Sequence, residues 1–164
     1  MKGWLWRLLW LAILAAAGLW LWRTFFPDPE RVIRRELVEL AQAASFGPKD
    51  GLLAVAMKVD KIASRCAPDV RVRVGGFGYS QILNGRDDVR QAVAIAHTSF
   101  TSLTLRFPDL HVRLAPDKQS ATVDATANGR AGDHDLQLIE LRFTMRKVDG
   151  EWLVAVVETE STLQ

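Results

Sequence analysis

From residue 103 onward, apolar side chains recur at every second position of the sequence, in segments separated by short turn signals. The alternating segments are 103–114, 121–127, 139–145 and 152–157. This period predicts strands that turn one face to a core and the other to solvent. Asn128-Gly129 with Gly132-Asp133 indicates one turn and Asp149-Gly150 another, and Pro108-Asp109 indicates a bulge within one long strand. Sequential strands joined by short turns predict an antiparallel meander, which helices must cover on one face.

The preceding region has an apolar period near 3.6 residues, which is typical of amphipathic helices. A first helix begins at Asp28-Pro29, where a capping carboxylate precedes proline, and ends at Gly47-Pro48. The second helix, from about Lys49 to Arg65, carries an apolar stripe of Leu52, Val55, Val59, Ile62 and Cys66. A third helix begins near Asn84-Gly85. A strand of alternating valine and arginine lies between the second and third helices, at Val70, Val72 and Val74, with a loop from Gly75 that includes Tyr79.

The segment before the first helix is a predicted membrane anchor. No charged residue occurs from Leu8 to Trp22, and the apolar stretch from Trp4 to Phe26 is about long enough to cross a bilayer at ~1.5 Å per residue. Tryptophan is concentrated near both ends of the stretch, as in the aromatic belts of spanning helices. Residues 1–27 are therefore expected to be the anchor and its flank, and residues 28–164 one domain. The alternative is a signal peptide cleaved after Ala17.

The orientation of the anchor is predicted from its flanks. Lys2 and Arg7 place the N-terminus in the cytoplasm, whereas the arginines after the segment, beginning with Arg23, argue for the opposite orientation. A tail this short before an uncleaved apolar run favours a single-pass protein whose domain lies outside the cytoplasm.

The charge balance of the domain bears on its partners. Without the three basic residues of the first 27 positions, 18 basic residues face 19 acidic ones, a formal charge of −1. A domain this close to neutral lacks the field that binds phosphates, so we expect no nucleic-acid partner. The single cysteine allows no intrachain disulfide, and no spacing predicts a metal site or a cofactor.

The order helix, helix, strand, helix and four strands resembles the nuclear transport factor 2-like superfamily, which includes SnoaL-like cyclases and ketosteroid isomerases. The resemblance covers about residues 28–160, including the segments 84–89 and 148–152. It implies an α+β fold, in which a curved antiparallel sheet wraps around three helices to form a cone with a pocket at its open end. Superfamily members include enzymes, ligand binders and scaffolds that dimerise through the sheet. The isomerase mechanism is not carried over, because its tyrosine on the first helix has no counterpart between residues 29 and 46.

The pocket that the resemblance implies has three candidate polar contacts in the sequence. His97 borders the apolar stripe of the third helix, and Tyr79 and Cys66 are the other two candidates. For each, a structural role competes with ligand binding, since a histidine at a seam between helix and sheet is commonly half-buried and a cysteine on a helical stripe is commonly packed. His134 lies in a polar turn that we expect to be solvated.

The last strand suggests a contact with a partner. Trp152, Val154 and Val156 alternate on one predicted face, and the residues between them make the other face apolar too. Two apolar faces predict a second contact, for which a homodimer is the commonest answer. We therefore expect a non-enzymatic, membrane-tethered domain that binds itself or another membrane-associated protein. The alternative is a SnoaL-like pocket that binds or transforms a small apolar ligand.

Overall fold

The computed structural model describes Ile13 and residues 28–76, 79–132 and 135–159. Apart from Ile13, the predicted anchor lies outside these residues, and none of the described helices is long and apolar enough to cross a membrane. From residue 28 onward the described ranges form three helices and six strands. These are α1 (Pro29–Ala44), α2 (Leu52–Ser64), β1 (Cys66–Gly76), β2 (Tyr79–Asn84), α3 (Gly85–Ser99), β3 (Leu103–Leu114), β4 (Ser120–Ala131), β5 (Gln137–Val148) and β6 (Glu151–Thr159).

The six strands form one sheet in the order β2-β1-β6-β5-β4-β3. The predicted meander is confirmed, because β3, β4, β5 and β6 pair antiparallel in sequence order. The strand before α3 joins this meander at its other end, where β1 pairs with β6 in parallel. The expectation of a wholly antiparallel sheet was wrong at this one pair, since α3 and the meander intervene before the chain returns alongside β1.

Two local predictions about turns were wrong. Tyr79 was placed in a loop, but β2 returns antiparallel along β1 and Tyr79 pairs with Gly76. Asn128 and Gly129 were read as a turn, but both pair with β3 and with β5, so this dipeptide lies inside a central strand. The turn follows at Gly132, which the predicted turn also included, and whose positive φ of 55° suits a residue without a side chain. A dipeptide that favours turns can therefore lie within a strand when strands on both sides pair with it.

The predicted helix starts and strand irregularities have visible causes. The Asp28 carboxylate accepts a hydrogen bond from the Glu30 backbone N–H at 3.2 Å and so caps α1. Asn84 precedes the first residue of α3, and its N–H donates to the Asp88 carboxylate at 2.9 Å. In β3 the register shifts between Arg106 and Asp109, which confirms the predicted bulge.

The stripe predicted for the second helix is only partly buried. Ile62 lies in the core, whereas Leu52 is 88% exposed. Cys66 belongs to β1, because α2 ends at Ser64, and it is buried there. The α2 helix is therefore amphipathic in its second half, while its first half leaves apolar side chains in solvent.

A bulge in β6 changes the face on which its last apolar residues lie. Val154 pairs with Met145 and Val157 with Phe143, so β6 has one more residue than β5 between these pairs. The extra residue brings Val157 to the inner face with Trp152 and Val154, and all three lie in the core. Val156 is on the opposite face, so the prediction that it shares a face with Trp152 and Val154 was wrong.

The core lies between the inner face of the sheet and the three helices. From α1, Ile33 and Leu37 are fully buried, and they belong to the same cluster as Val123, Phe143 and Met145 of the sheet. Each such side chain contributes roughly 1.5–3 kcal/mol when it leaves water. The candidate site lies at the edge of this core, where Phe46 after α1 meets His97 near the end of α3.

Candidate ligand-binding site

Phe46 and His97 stack at the centre of the candidate site. Phe46 follows the end of α1, and its backbone exchanges two hydrogen bonds with Leu103, of 2.8 and 2.9 Å. Ser45 supports the same connection, because its hydroxyl accepts a hydrogen bond from the Leu105 N–H at 2.9 Å. The Phe46 ring is buried and lies against the imidazole of His97, with 3.8 Å between ring centroids and a tilt of 31°. The backbone contacts fix the ring, and the ring in turn limits the orientations open to His97.

An ion pair borders this ring stack. Lys58, from α2, donates hydrogen bonds to the Asp50 carboxylate at 2.7 Å and to the Ser45 carbonyl at 2.8 Å. The same carboxylate accepts a hydrogen bond from the Gly47 N–H at 3.2 Å. The contacts of Lys58 and Gly47 hold the pKa of Asp50 below its ordinary value. Asp50 is therefore a charged acceptor that organises the loop between α1 and α2.

His97 has an unsatisfied polar atom. Its Nε2 atom is shielded from solvent, and no hydrogen-bond partner reaches it within residues 28–76, 79–132 and 135–159. Burial lowers the pKa of His97, the positive charge of Lys58 lowers it further, and the charge of Asp50 opposes both effects. The ring is thus neutral at neutral pH, with one nitrogen that donates and one that accepts. A buried polar atom without a partner costs about 1–3 kcal/mol, which a ligand with a matching group would recover.

The three candidate pocket residues do not form one cluster. The Cys66 thiol is buried, contacts the Ile62 carbonyl at 3.4 Å, and has a pKa raised by burial to about 11, which makes it a poor nucleophile. The Arg86 side chain, in the first turn of α3, donates to the Cys66 carbonyl at 2.7 Å. His97 lies eleven residues further along α3, about 16 Å at ~1.5 Å per residue. For Tyr79 the structure describes the backbone, which pairs with Gly76 at the end of the β1–β2 hairpin.

The proposed interface residues occupy different environments. Trp152 and Val154 are 5% and 2% exposed and belong to the core of the chain itself. Val156 is on the outer face of the sheet, between Thr144 of β5 and Arg71 of β1, and is half-buried. Of the three, only Val156 is placed where a partner can reach it.

Sequence reasoning missed Phe46, Asp50 and Lys58 as site residues. Asp50 and His97 are separated by 47 positions, so no helical or strand spacing connects them. The available signals were weak: an aspartate just before a helix start and a lysine nearly two turns inside the helix are common in proteins. The site arises because the loop after α1 and the last turn of α3 come together on the core.

The outer face of the sheet carries a different polar arrangement. Asp124 accepts hydrogen bonds from Arg113 and Arg142 on the two neighbouring strands. Two further ion pairs join Arg73 to Glu158 and Arg146 to Asp69. Charge pairs between strands therefore occupy this face. His111 is exposed there, opposite Asp124, and His134 lies outside the described residues.

Comparison with known proteins identifies solved structures that have a similar fold. No protein-family model matches the sequence, and no curated protein matches it either. A solved structure from Novosphingobium aromaticivorans, provisionally named a scytalone dehydratase, is similar with a TM-score of 0.63 and 16% identity, over 82% of this chain and 84% of that one. A provisionally named dehydratase of the nuclear transport factor 2-like family from Streptomyces avermitilis has a TM-score of 0.62 and 15% identity, over 82% of this chain and 97% of that one.

A third similar structure is a nuclear transport factor 2-like protein of unknown function from Pseudomonas putida, with a TM-score of 0.59 and 14% identity, over 80% of this chain and 85% of that one. These likenesses establish the α+β fold that the element order predicted, with a six-stranded curved sheet and three helices. At such low identity they show the fold alone, because one fold hosts many functions.

Proposed function

We propose that the domain binds a small, mostly apolar ligand with one hydrogen-bonding group, at the site formed by Phe46, His97 and the Lys58–Asp50 pair. The observation that carries this proposal is the shielded Nε2 of His97, which has no partner among the described residues. Buried polar atoms in proteins are nearly always hydrogen-bonded, so an exception beside an aromatic ring supports a partner supplied by a ligand.

The chemistry of the site defines the class of ligand. Phe46 offers an apolar ring, and neutral His97 offers either a donor or an acceptor. Lys58 directs its charge to Asp50, so this cation is already engaged and the site favours an uncharged ligand. A neutral aromatic or aliphatic alcohol, or a neutral carbonyl compound, fits this combination.

Acid–base catalysis is the second candidate, favoured by the lowered pKa of His97. A neutral imidazole near neutral pH can accept a proton from a bound substrate. Two of the similar structures are provisionally named dehydratases, and a dehydratase needs such a proton acceptor. Binding requires only the geometry described above, whereas catalysis requires in addition a substrate whose acidic C–H or O–H faces His97.

We propose further that the N-terminal segment tethers this domain to a membrane, with the N-terminus in the cytoplasm. The uncharged run from Leu8 to Trp22, with tryptophan near its ends, supports the tether. The full chain should stay in the membrane fraction after alkaline carbonate extraction and keep its first 22 residues. A mature N-terminus after Ala17 would contradict the tether.

Self-association or a membrane-associated protein partner remains the alternative to ligand binding. Its main support was the second apolar face of β6, and the bulge returns one residue of that face, Val157, to the core of the chain. Sedimentation of the chain in nanodiscs of defined size distinguishes one copy per disc from two. A reproducible population of two copies at low protein-to-disc ratio would favour this alternative.

The ligand proposal is tested by thermal unfolding of the full chain in nanodiscs with 2-naphthol or decanol. A ligand at a hundred times its dissociation constant stabilises a protein by about 2.7 kcal/mol. We expect a higher Tm in the wild type and a much smaller rise in His97→Gln and Phe46→Leu. Phe107→Leu is the matched control, because it removes a ring that packs on Phe143 rather than on His97. Equal stabilisation of the wild type and His97→Gln would contradict the proposal.

A further inference from the structure

The first half of α2 exposes several apolar side chains to solvent. Leu52, Leu53 and Met57 are 88%, 76% and 67% exposed, although each would gain from leaving water. Isolated exposed apolar residues are common, but three within two turns of one helix form a patch. The second half of the same helix is amphipathic and buries Ile62 and Ala63. The patch is therefore confined to the end of α2 that adjoins the candidate site.

The neighbouring helix α1 carries exposed basic residues. Arg31 and Arg35 are exposed at positions that continue, at helical spacing, through exposed Val38 and Gln42. The opposite side of α1 is buried in the core through Ile33 and Leu37. The exposed stripe thus faces away from the sheet. Its two arginines lie in the first half of the helix, where Arg31 is 3.8 Å from Asp28 and Arg35 is 2.9 Å from Glu39, and both guanidinium groups remain exposed to solvent.

The two helices are antiparallel neighbours. Arg65, after the end of α2, pairs with Glu36 and Glu39 of α1, and Lys58 reaches the carbonyl of Ser45 beyond the end of α1. The patch on α2 and the arginines on α1 therefore lie at opposite ends of one outward surface. Their separation is about the length of α1, roughly 24 Å for its sixteen residues.

The proposed membrane tether would bring this surface close to the bilayer. The apolar segment ends at Phe26 and α1 begins at Pro29, so three residues at ~3.5 Å each keep the first turn of α1 within about 10 Å of the lipid headgroups. Arginines at that position complement an anionic membrane surface. If α1 lies along the surface, the apolar end of α2 comes down onto the same bilayer, as amphipathic helices do.

We propose that the outward surface of α1 and α2 docks on the bilayer, with Arg31 and Arg35 at the headgroups and Leu52, Leu53 and Met57 inserted among the acyl chains. This inference rests on the proposed membrane tether. It also deepens the proposed ligand function, because Lys58 and Asp50 lie at the inserted end. Docking would hold the site beside the acyl chains, in which a small apolar ligand concentrates.

The test uses the full chain in nanodiscs of phosphatidylcholine and phosphatidylglycerol, with a nitroxide label at Leu53→Cys or, as a second position, Met57→Cys. Both side chains are exposed, so the label does not disturb the core, and the native Cys66 is buried and does not compete for labelling. Thr104→Cys, exposed on the outer face of the sheet, is the control. Power saturation compares collisions with oxygen, which is enriched in lipid, and with a water-soluble nickel chelate.

We expect an oxygen-to-nickel accessibility ratio several-fold higher at residues 53 and 57 than at residue 104. Nickel accessibility at residue 53 equal to that at residue 104, in discs that retain the protein, overturns the docking and leaves the tether intact. Protection of residue 53 from both oxygen and the nickel chelate would indicate a protein contact, such as a second copy of the chain. That result also overturns the membrane docking. Failure of the chain to remain with lipid after an alkaline wash refutes the tether itself.

Discussion

Two histidines of this chain lie beside carboxylates, and their surroundings differ. His111 is exposed on the outer face of the sheet, opposite Asp124, whose charge two arginines already satisfy. His97 stacks on a buried ring, has a shielded Nε2 without a partner in the described chain, and is close enough to Asp50 and Lys58 for both to influence its pKa. Both regions combine a histidine, an aspartate and a basic side chain. Burial and an unmet hydrogen bond are what distinguish a candidate binding site from a solvated charge network.

If the outer face of the sheet is solvated, substitutions on the two faces of β6 should have very different effects on stability. This is the largest effect that we expect. Val154 faces the core, whereas Val156 faces outward across the bulge. We expect Val154→Lys to lose about 3–5 kcal/mol, because it buries an uncompensated charge, and this is a large part of a typical folding free energy. Val156→Lys should unfold close to the wild type. Chemical denaturation followed by circular dichroism measures both, and equal losses would show that β6 has no bulge.

A second test separates the histidines by pH. In the folded chain the pKa of His97 lies below its ordinary value of 6.5, so the unfolded chain takes up this proton first as the pH falls. The free energy of unfolding should therefore be highest above about pH 6.5 and decrease as the pH falls through the lowered pKa. His97→Gln should lose this dependence between about pH 5 and 7, and His111→Gln should retain it. Identical pH profiles for the wild type and His97→Gln would remove the distinction between the two histidines.

The smallest expected effect concerns the charge network itself. A hydrogen bond from Arg142 and the charge of Arg113 lower the pKa of Asp124. Both arginines are largely exposed, so Asp124→Asn should cost no more than about 1 kcal/mol. The loss should shrink further at high salt, which screens exposed charges. A loss of several kcal/mol that persists in molar salt would show that this face is buried against a partner.

The fold was predictable from the sequence because most of its elements repeat a simple pattern. Alternation predicted β3 to β6, and the cap at Asp28 and the turn signal at Asn84-Gly85 predicted the starts of α1 and α3. Asn128-Gly129 misled, because a local turn signal does not reveal that strands pair on both sides. The bulge in β6 was invisible for a similar reason, since apolar residues on both faces of a strand fit either a bulge or an interface.

The candidate site was predictable only in part. The position of His97 on the apolar stripe of its helix singled it out, and the structure places it beside a buried ring. Its neighbours Phe46, Asp50 and Lys58 reach it through tertiary packing of distant segments, which no spacing encodes. Cys66 was singled out on a helical stripe that in fact ends two residues earlier, so its place in β1 was missed.

The most direct test of the account is the NMR signal of the His97 imidazole during titration with 2-naphthol. The chain has three histidines, so selectively labelled histidine in the full chain gives few signals, which His97→Gln and His111→Gln assign. A ligand bonded to Nε2 should shift the His97 signal saturably and leave the His111 signal in place. The opposite result, with the His97 signal unmoved at saturating 2-naphthol or with both signals moving in parallel, would contradict a ligand site at His97.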